Sequence, residues 1–331
     1  MSIGIVLIGR NEGARLRACL ASVAGLEARV VYVDSGSADD SVAAARAAGA
    51  QVVELDRETP FTAARARNAG FEALRAGGLP GIVQFLDGDC TLVRGWLESG
   101  QARLVEAPEL GLVTGWREEI HPKASIYNAL ADVEWHRPAG PITSCGGDMM
   151  VRAEAFEAAG GFDPTVIAAE DDEFCLRLAK AGWQLERLPL RMSRHDADMT
   201  RFAQWWRRAE RSGHGFAQVG ALHPAHFRAE RRRVWLYGLA LPLLAVAGLV
   251  GWVSTHPTTT AWAALALLAL AAYAASFLRT AQGQHRGGLP WPEALHHATY
   301  LTLSKFPNLL GMLRYHLRRA RGRAMRIIEY K

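Results

Sequence analysis

Up to about residue 90 the chain alternates short apolar runs rich in Val and Ile with longer Ala-rich stretches whose apolar residues recur at helical spacing. IGIVLI (3–8), RVVYVD (29–34), QVVEL (51–55) and IVQFLD (82–87) read as strands, whereas ARLRACLASVAGL (14–26), DDSVAAARAAG (39–49) and a stretch near 62–74 read as helices. Strand, helix, strand in repetition predicts an α/β fold with a mostly parallel sheet and helices on both faces. Ligands bind beyond the carboxyl ends of such strands. Two of the runs end there on a carboxylate, Asp34 and Asp87.

Past residue 230 the pattern changes. Twenty residues from Val234 to Val253 carry no charge, nor do eighteen from Ala261 to Leu278, each close to the ~20 residues that cross a ~30 Å hydrocarbon core. An Ala/Leu-rich pair without a polar face has nothing to present to water, so 231–280 is expected to be a transmembrane helical hairpin, turning at STHPTTT (254–260). Arg231, Arg232 and Arg233 precede the first span, and Arg279 and Arg286 follow the second, which places both ends in the cytoplasm. The run Ile3 to Ile8 is too short for a signal peptide. From Glu293 to Leu317 apolar residues mix with His296, His297, Lys305 and Pro307 before RYHLRRARGRAMR. Such a segment resembles an interfacial amphipathic helix. The expected organisation is a catalytic domain over 1–230, the hairpin over 231–280 and a basic membrane-interface tail over 281–331.

Composition narrows the class. Half of the 331 residues are hydrophobic and 21% are charged, which excludes a disordered or collagen-like chain. Cys19, Cys90, Cys145 and Cys175 are widely spaced, with no CxxC pair, as expected of reduced thiols in a cytosol-facing protein rather than a disulfide framework. The net charge of +5 is uneven: 207–233 carries +5 and 311–331 carries +6, leaving −6 elsewhere. Because these basic stretches flank the apolar runs, they point to anionic lipid headgroups and not to nucleic acid.

Asp87-Gly88-Asp89 follows a strand directly, so two carboxylates reach the strand-end crevice. Hard oxygen ligands suit Mg²⁺ or Mn²⁺, and a cation with open positions also takes a diphosphate. Around this pair the chain carries IVLIGRNEGARLRACLASV, VVYVDSGSADDSV, ARARNAGF, FLDGDC, CGGDMMVRAEAFEAAGGFD and AAEDDEFCLRLAKAGW in order. Across roughly residues 3 to 215 this array closely resembles the family 2 glycosyltransferases of the GT-A fold, a Rossmann-like nucleotide-diphospho-sugar transferase architecture.

The resemblance implies roles for particular residues. Asp34 stands where the family contacts base or ribose, and Asn11 and Glu12 lie in the first nucleotide loop, here Ile8-Gly9-Arg10-Asn11-Glu12 in place of the usual P-T-Y-N-E. Arg67, with Asn68, matches the R-N-x-G element whose arginine reaches the donor nucleotide. Asp89 is expected to ligate the cation, Asp87 to touch ribose or metal-bound water, and His195 to supply a further metal ligand. Gly147 and Asp148, after Gly146, form the turn that meets the sugar. Glu170 and Asp171 match the family's E-D pair, with Asp171 as the general base that takes the acceptor's proton. Trp205 and Trp206 are expected to stack on an acceptor sugar or to sit at the membrane interface. The order Gln204-Trp205-Trp206-Arg207-Arg208 departs from the Q-x-x-R-W element of processive synthases.

The function implied is that of a membrane-anchored inverting glycosyltransferase of the hexosyltransferase class. It would use a UDP- or GDP-sugar, Mn²⁺ or Mg²⁺, and a lipid-linked, cell-envelope or exopolysaccharide acceptor. Its place would be a bacterial-type inner membrane, with the catalytic domain on the cytoplasmic face. A polyprenyl-phosphate sugar synthase is the alternative, with a non-catalytic membrane adaptor behind it. Sugar, nucleobase, acceptor and oligomeric state stay open, a homo-oligomer included.

Overall fold

The apolar runs become strands because they can be buried on both faces. In the computed structural model, which describes residues 1–255 and 260–329, the first half of the sheet is built from β1 (Ile3–Gly9), β2 (Ala28–Asp34), β3 (Gln51–Glu54) and β4 (Ile82–Asp87). Between them run α1 (Ala14–Val23), α2 (Ser41–Ala47) and α3 (Ala63–Ala76). Period-two alternation sends Ile5 and Leu7 into one core with Leu16, Leu20 and Tyr32, while Val6 and Ile8 enter a second core with Phe71 and Phe85. Helix α3 begins where Thr62 accepts a hydrogen bond from the Arg65 amide at 3.0 Å, a cap that contributes about 1 kcal/mol.

The second half comprises β5 (Cys90–Leu92), α4 (Trp96–Glu106), β6 (Leu110–Glu119), α5 (Ile126–Trp135), β7 (Gly140–Pro141), β8 (Met149–Arg152), α6 (Ala153–Ala158), α7 (Glu170–Lys180) and β9 (Gln184–His195). The strand order is β3-β2-β1-β4-β8-β6-β9-β5, with β7 on β9. Pairing is parallel from β3 to β4, as expected, but β8 runs antiparallel to both β4 and β6, and β5 antiparallel to β9. The mixed half escaped the sequence pattern because β6 and β9 are charged toward their ends. It has a direct consequence for the site: β9 ends with His195 opposite both Cys90 and Glu119.

Chain contacts divide the molecule into two units, Met1–Thr200 and Arg201–Lys331. In the second, α8 (Phe202–Leu222) is followed by α9 (Arg228–Trp235), which passes through a π-helical turn at Leu236–Ala240 into α10 (Leu241–Ser254). Then come α11 (Thr260–Arg286), α12 (Trp291–Leu303) and α13 (Lys305–Ala320). Arg228–Ser254 and Thr260–Arg286 are each long and apolar enough to cross a membrane, and only 6% of the most apolar stretch of the latter is buried within the protein. The centre of the expected turn, 256–259, lies outside the described residues. The segment read as one amphipathic helix forms two, α12 and α13. Helix α13 lies against α8 at backbone contact: a Cβ on Gly311 would collide with the Glu210 carbonyl, and one on Gly213 with the Asn308 backbone. Small residues are what such an approach requires.

Candidate active site

The parallel register sets three strand ends side by side, with Gly9 opposite Asp34 and Ile8 opposite Asp87. Asp34 is buried and accepts hydrogen bonds from its own turn: Gly36 N at 2.9 Å, Ser37 N at 2.8 Å, Ser37 Oγ at 2.5 Å and Tyr32 Oη at 3.0 Å. Asn11 adopts a left-handed backbone and ties the first loop to the second, its Oδ1 accepting from Ala38 N at 2.7 Å while its amide donates to Ser37 Oγ at 2.9 Å. Glu12 follows it and pairs with Arg15 at 2.9 Å. These contacts shape the floor of the crevice at the β1 and β2 ends.

Deeper in, two arginines hold three carboxylates. The Arg67 guanidinium, on α3, donates to Asp87 Oδ1 and to Glu170 Oε1, both at 2.8 Å. Arg117, on β6, donates to Asp87 Oδ2 at 3.2 Å and to Asp148 Oδ2 at 3.0 Å. Asp148 is 1% exposed and also accepts from Asp87 N at 3.1 Å and Ser193 Oγ at 2.6 Å. Burial opposes the charge of Asp87, but the Arg67 and Arg117 guanidiniums outweigh it and hold the carboxyl well below its ordinary value. Gly147 belongs to this network through its lack of a side chain, since a Cβ there would collide with the Arg67 guanidinium. Charge-assisted bonds of this kind are roughly twice as strong as neutral ones, so Arg67 clasps the amino end of α7 to the carboxyl end of β4.

Beside this lattice lies a second group. His195 Nε2 is 3.2 Å from Asp89 Oδ2, and His195 Nδ1 is 3.6 Å from Glu119 Oε2. Glu119 in turn accepts from His121 N and Ala197 N at 3.0 Å, and the Trp135 ring packs edge-on to the imidazole at 4.7 Å. Burial pushes the His195 pKa down despite the nearby Glu119 carboxylate, so the ring is neutral near pH 7 and keeps a lone pair for a ligand. Asp89, Cys90 and His195 each offer a ligand atom within 4.8 Å of one another. A carboxylate and a neutral imidazole, the latter with a carboxylate behind it, fit a divalent cation.

Asp171 differs from all of these. It lies in the first turn of α7, where Glu170, Asp171, Asp172 and Glu173 follow one another. Glu170 is neutralised by Arg67 and Glu173 by Arg177, at 2.7 Å. Burial, reinforced by Glu170 and Asp172 and only partly offset by Arg67, pushes the Asp171 pKa up to about 8. The Asp172 amide donates to its Oδ1 at 2.9 Å.

Asp87, Asp89, Arg67, Gly147, Asp148, Glu170 and His195 are therefore joined by direct contacts or chain adjacency, with Asp171 next to Glu170 and the Asn11–Asp34 loops at the neighbouring strand ends. Trp205 and Trp206 belong to the second unit. There Trp205 is 6% exposed and packs on Tyr300, with ring centroids 5.2 Å apart. Arg117, Glu119 and Ser193 were not singled out from sequence. The signal for the first two was present, since WREE closes the apolar run LGLVTG just as Asp34 and Asp87 close theirs.

Comparison with known proteins gives a consistent picture. Residues 5–144 match the model of glycosyl transferase family 2, and residues 89–278 that of glycosyl transferase family group 2. The pre-mycofactocin glycosyltransferase of Mycobacterium tuberculosis is 31% identical over 239 residues, covering 67% of this chain and 48% of that protein. The chain thus spans about half the length of that relative. Glycosyltransferase AglE of Haloferax volcanii is 26% identical over 258 residues, covering 73% of this chain and 80% of its own. Among solved structures, mannosyltransferase PcManGT from Pyrobaculum calidifontis, in complex with GDP-Man and Mn²⁺, superposes with a TM-score of 0.57 at 19% identity, covering 95% of this chain and 86% of that one. S. aureus TarS 1-349 in complex with UDP gives 0.51 at 14%, covering 96% and 92%.

Proposed function

The chain belongs to the family 2 glycosyltransferases, and from that premise we propose that it moves a sugar, with inversion, from a UDP- or GDP-sugar to a hydroxyl of a lipid-linked or cell-envelope acceptor. The observation that carries this reading is the Arg67 clasp, which holds the acidic start of α7 against the Asp87-Gly88-Asp89 turn. Donor site and base then belong to one site. Relatives in fold that hold GDP-Man with Mn²⁺, or UDP, support a nucleoside-diphosphate donor.

In the proposed mechanism the acceptor hydroxyl attacks C1 of the donor sugar on the face opposite the diphosphate. Asp171 takes its proton while the C1–O bond breaks and its electron pair leaves with the nucleoside diphosphate. A carboxylate whose proton affinity burial has raised is a stronger base than an exposed one. Asp89 and His195 are the residues that would hold Mn²⁺ or Mg²⁺, Glu119 orienting the imidazole, and Asp87 would contact the ribose or metal-bound water. When bound, the cation offsets negative charge that grows on the leaving diphosphate. Asp34, with Asn11 and Glu12, forms the wall for the nucleoside; Asp148 and Gly147 support the sugar side through Arg117 and Arg67.

The helices Arg228–Ser254 and Thr260–Arg286 support a membrane anchor after the catalytic region, with the basic residues that flank them on the cytoplasmic side of a bacterial-type inner membrane. Anchoring raises the local concentration of a lipid-borne acceptor. The test is nucleoside diphosphate release from a panel of UDP- and GDP-sugars by detergent-purified protein with a membrane lipid extract and Mn²⁺ or Mg²⁺. Metal-dependent release from one sugar, lost in Asp89→Ala, is expected. Release that ignores Asp89→Ala refutes the assignment, and full activity in Asp171→Asn points to a phosphate acceptor, which needs no base.

A further inference from the structure

The second unit contains a basic cavity lined by none of the residues that the proposed mechanism employs. It has a volume of about 350 Å³ and lies where α8, α13 and the chain segment 326–329 meet. Four arginines line it, Arg207, Arg314, Arg318 and Arg326, together with Glu210 and Glu329. Four positive charges face two negative ones, so the lining retains a charge of +2.

The wall also carries an unusual polar side chain. His214, on α8, is 2% exposed, and among the described residues neither of its ring nitrogens has a hydrogen-bond partner. Burial and the neighbouring Arg318 push its pKa down to about 4, so the imidazole is neutral and offers one N–H donor and one acceptor. Burying an unmatched donor is unfavourable. An oxyanion entering the cavity would provide its acceptor. Glu210 is 4% exposed, and Arg314 Nη1 approaches its Oε1 at 2.5 Å. That pair fixes one guanidinium of the wall, while Arg318 is braced by the Ala324 carbonyl at 2.9 Å.

A patch of solvated surface charge would not need these features. Diffuse attraction to an anionic membrane requires neither a cavity nor a buried imidazole, and it acts through any exposed arginine. Here four arginines line one space, and a planar guanidinium matches two phosphate oxygens at once. From this geometry we infer that the cavity lined by Arg207, His214, Arg314, Arg318 and Arg326 is a binding site for a phosphate or diphosphate group. The charge of a dianionic group balances the +2 of the lining.

The group can belong to a lipid, as a phosphomonoester headgroup or a lipid-borne diphosphate, or to a free diphosphate in solution. The lipid source rests on the membrane-anchored reading proposed above; the phosphate chemistry does not.

The test uses the full chain without any sugar nucleotide and with EDTA, so that failure here is separate from failure of the transferase assignment. Inorganic pyrophosphate is titrated calorimetrically in one arm, and phosphatidic acid adducts on the detergent-solubilised chain are counted by native mass spectrometry in the other. The double variant R207Q/R318Q, which leaves the Glu210–Arg314 pair intact, is expected to lose about tenfold or more in affinity for whichever probe binds. R326Q, outside both helices, is expected to lose about threefold to fivefold. R321Q/R323Q, which removes two tail arginines that do not line the cavity, is expected to stay within about twofold. Binding in the lipid arm alone identifies a headgroup, and displacement of phosphatidic acid by pyrophosphate identifies a shared phosphate site. Equal losses in the R207Q/R318Q and R321Q/R323Q pairs, or no binding of either probe to the wild-type chain, overturn the proposal.

Discussion

The carboxyl end of β4 and the amino end of α7 present aspartates to the same site and treat them in opposite ways. At β4, Asp87 sits between two guanidiniums that hold it ionised. At α7, Arg67 is committed to Glu170 and Asp87, and Asp171 is left with burial and like charges, so its pKa rises to about 8. The pair teaches that location in the crevice does not assign a role. The distribution of two arginines among several carboxylates does, and divergent proton affinities in one site are what separate a base from a scaffold.

The largest expected effect of breaking this contrast is chemical. Asp171→Asn should reduce turnover by about 10²- to 10⁴-fold while leaving sugar-nucleotide affinity unchanged, as followed by diphosphate release and calorimetry. Next, Glu119→Gln should weaken divalent-cation affinity by about 10- to 100-fold, because it removes the carboxylate behind His195; Mn²⁺ titration of activity checks it. Gly147→Ala would force the Arg67 guanidinium off its partners. It should lower stability by about 1–3 kcal/mol and reduce activity, read by thermal melting alongside turnover.

The smallest effect is one of sign. A carboxyl whose folded pKa lies near 8, against an ordinary 3.8, holds its proton more tightly when folded. Its stabilising contribution is fully present below 3.8 and is lost as pH rises toward 8. Asp171→Asn, which cannot ionise, should therefore melt higher than the wild type at alkaline pH by about a few degrees, with the difference shrinking in acid.

Much of this site was legible because parallel βαβ units always deliver strand ends to one crevice. Asp34, Asp87 and Asp89 could be placed there from apolar runs alone, and the two apolar helices were equally plain. What those residues touch was not legible. The donors that the protein itself supplies to Asp34 and Asp148 could not be read from the pattern, because they come from the local turn and from partners 31 and 45 residues away. Arg117 and Glu119 come from the mixed half of the sheet, where pairing of β6 with β9 sets charged residues inward and alternation no longer marks the buried face. The packing of α13 on α8 likewise turned on Gly213 and Gly311, which the amphipathic pattern does not report.

The most direct test of the central claim is the pH dependence of kcat/KM with the preferred donor and acceptor, for wild type and Asp171→Asn. If burial makes Asp171 the base, the wild-type value falls about tenfold per pH unit below a pKa near 8, and the residual activity of the variant shows no such limb. A wild-type profile that stays flat down to about pH 6, or the same acid limb in Asp171→Asn, would contradict the account.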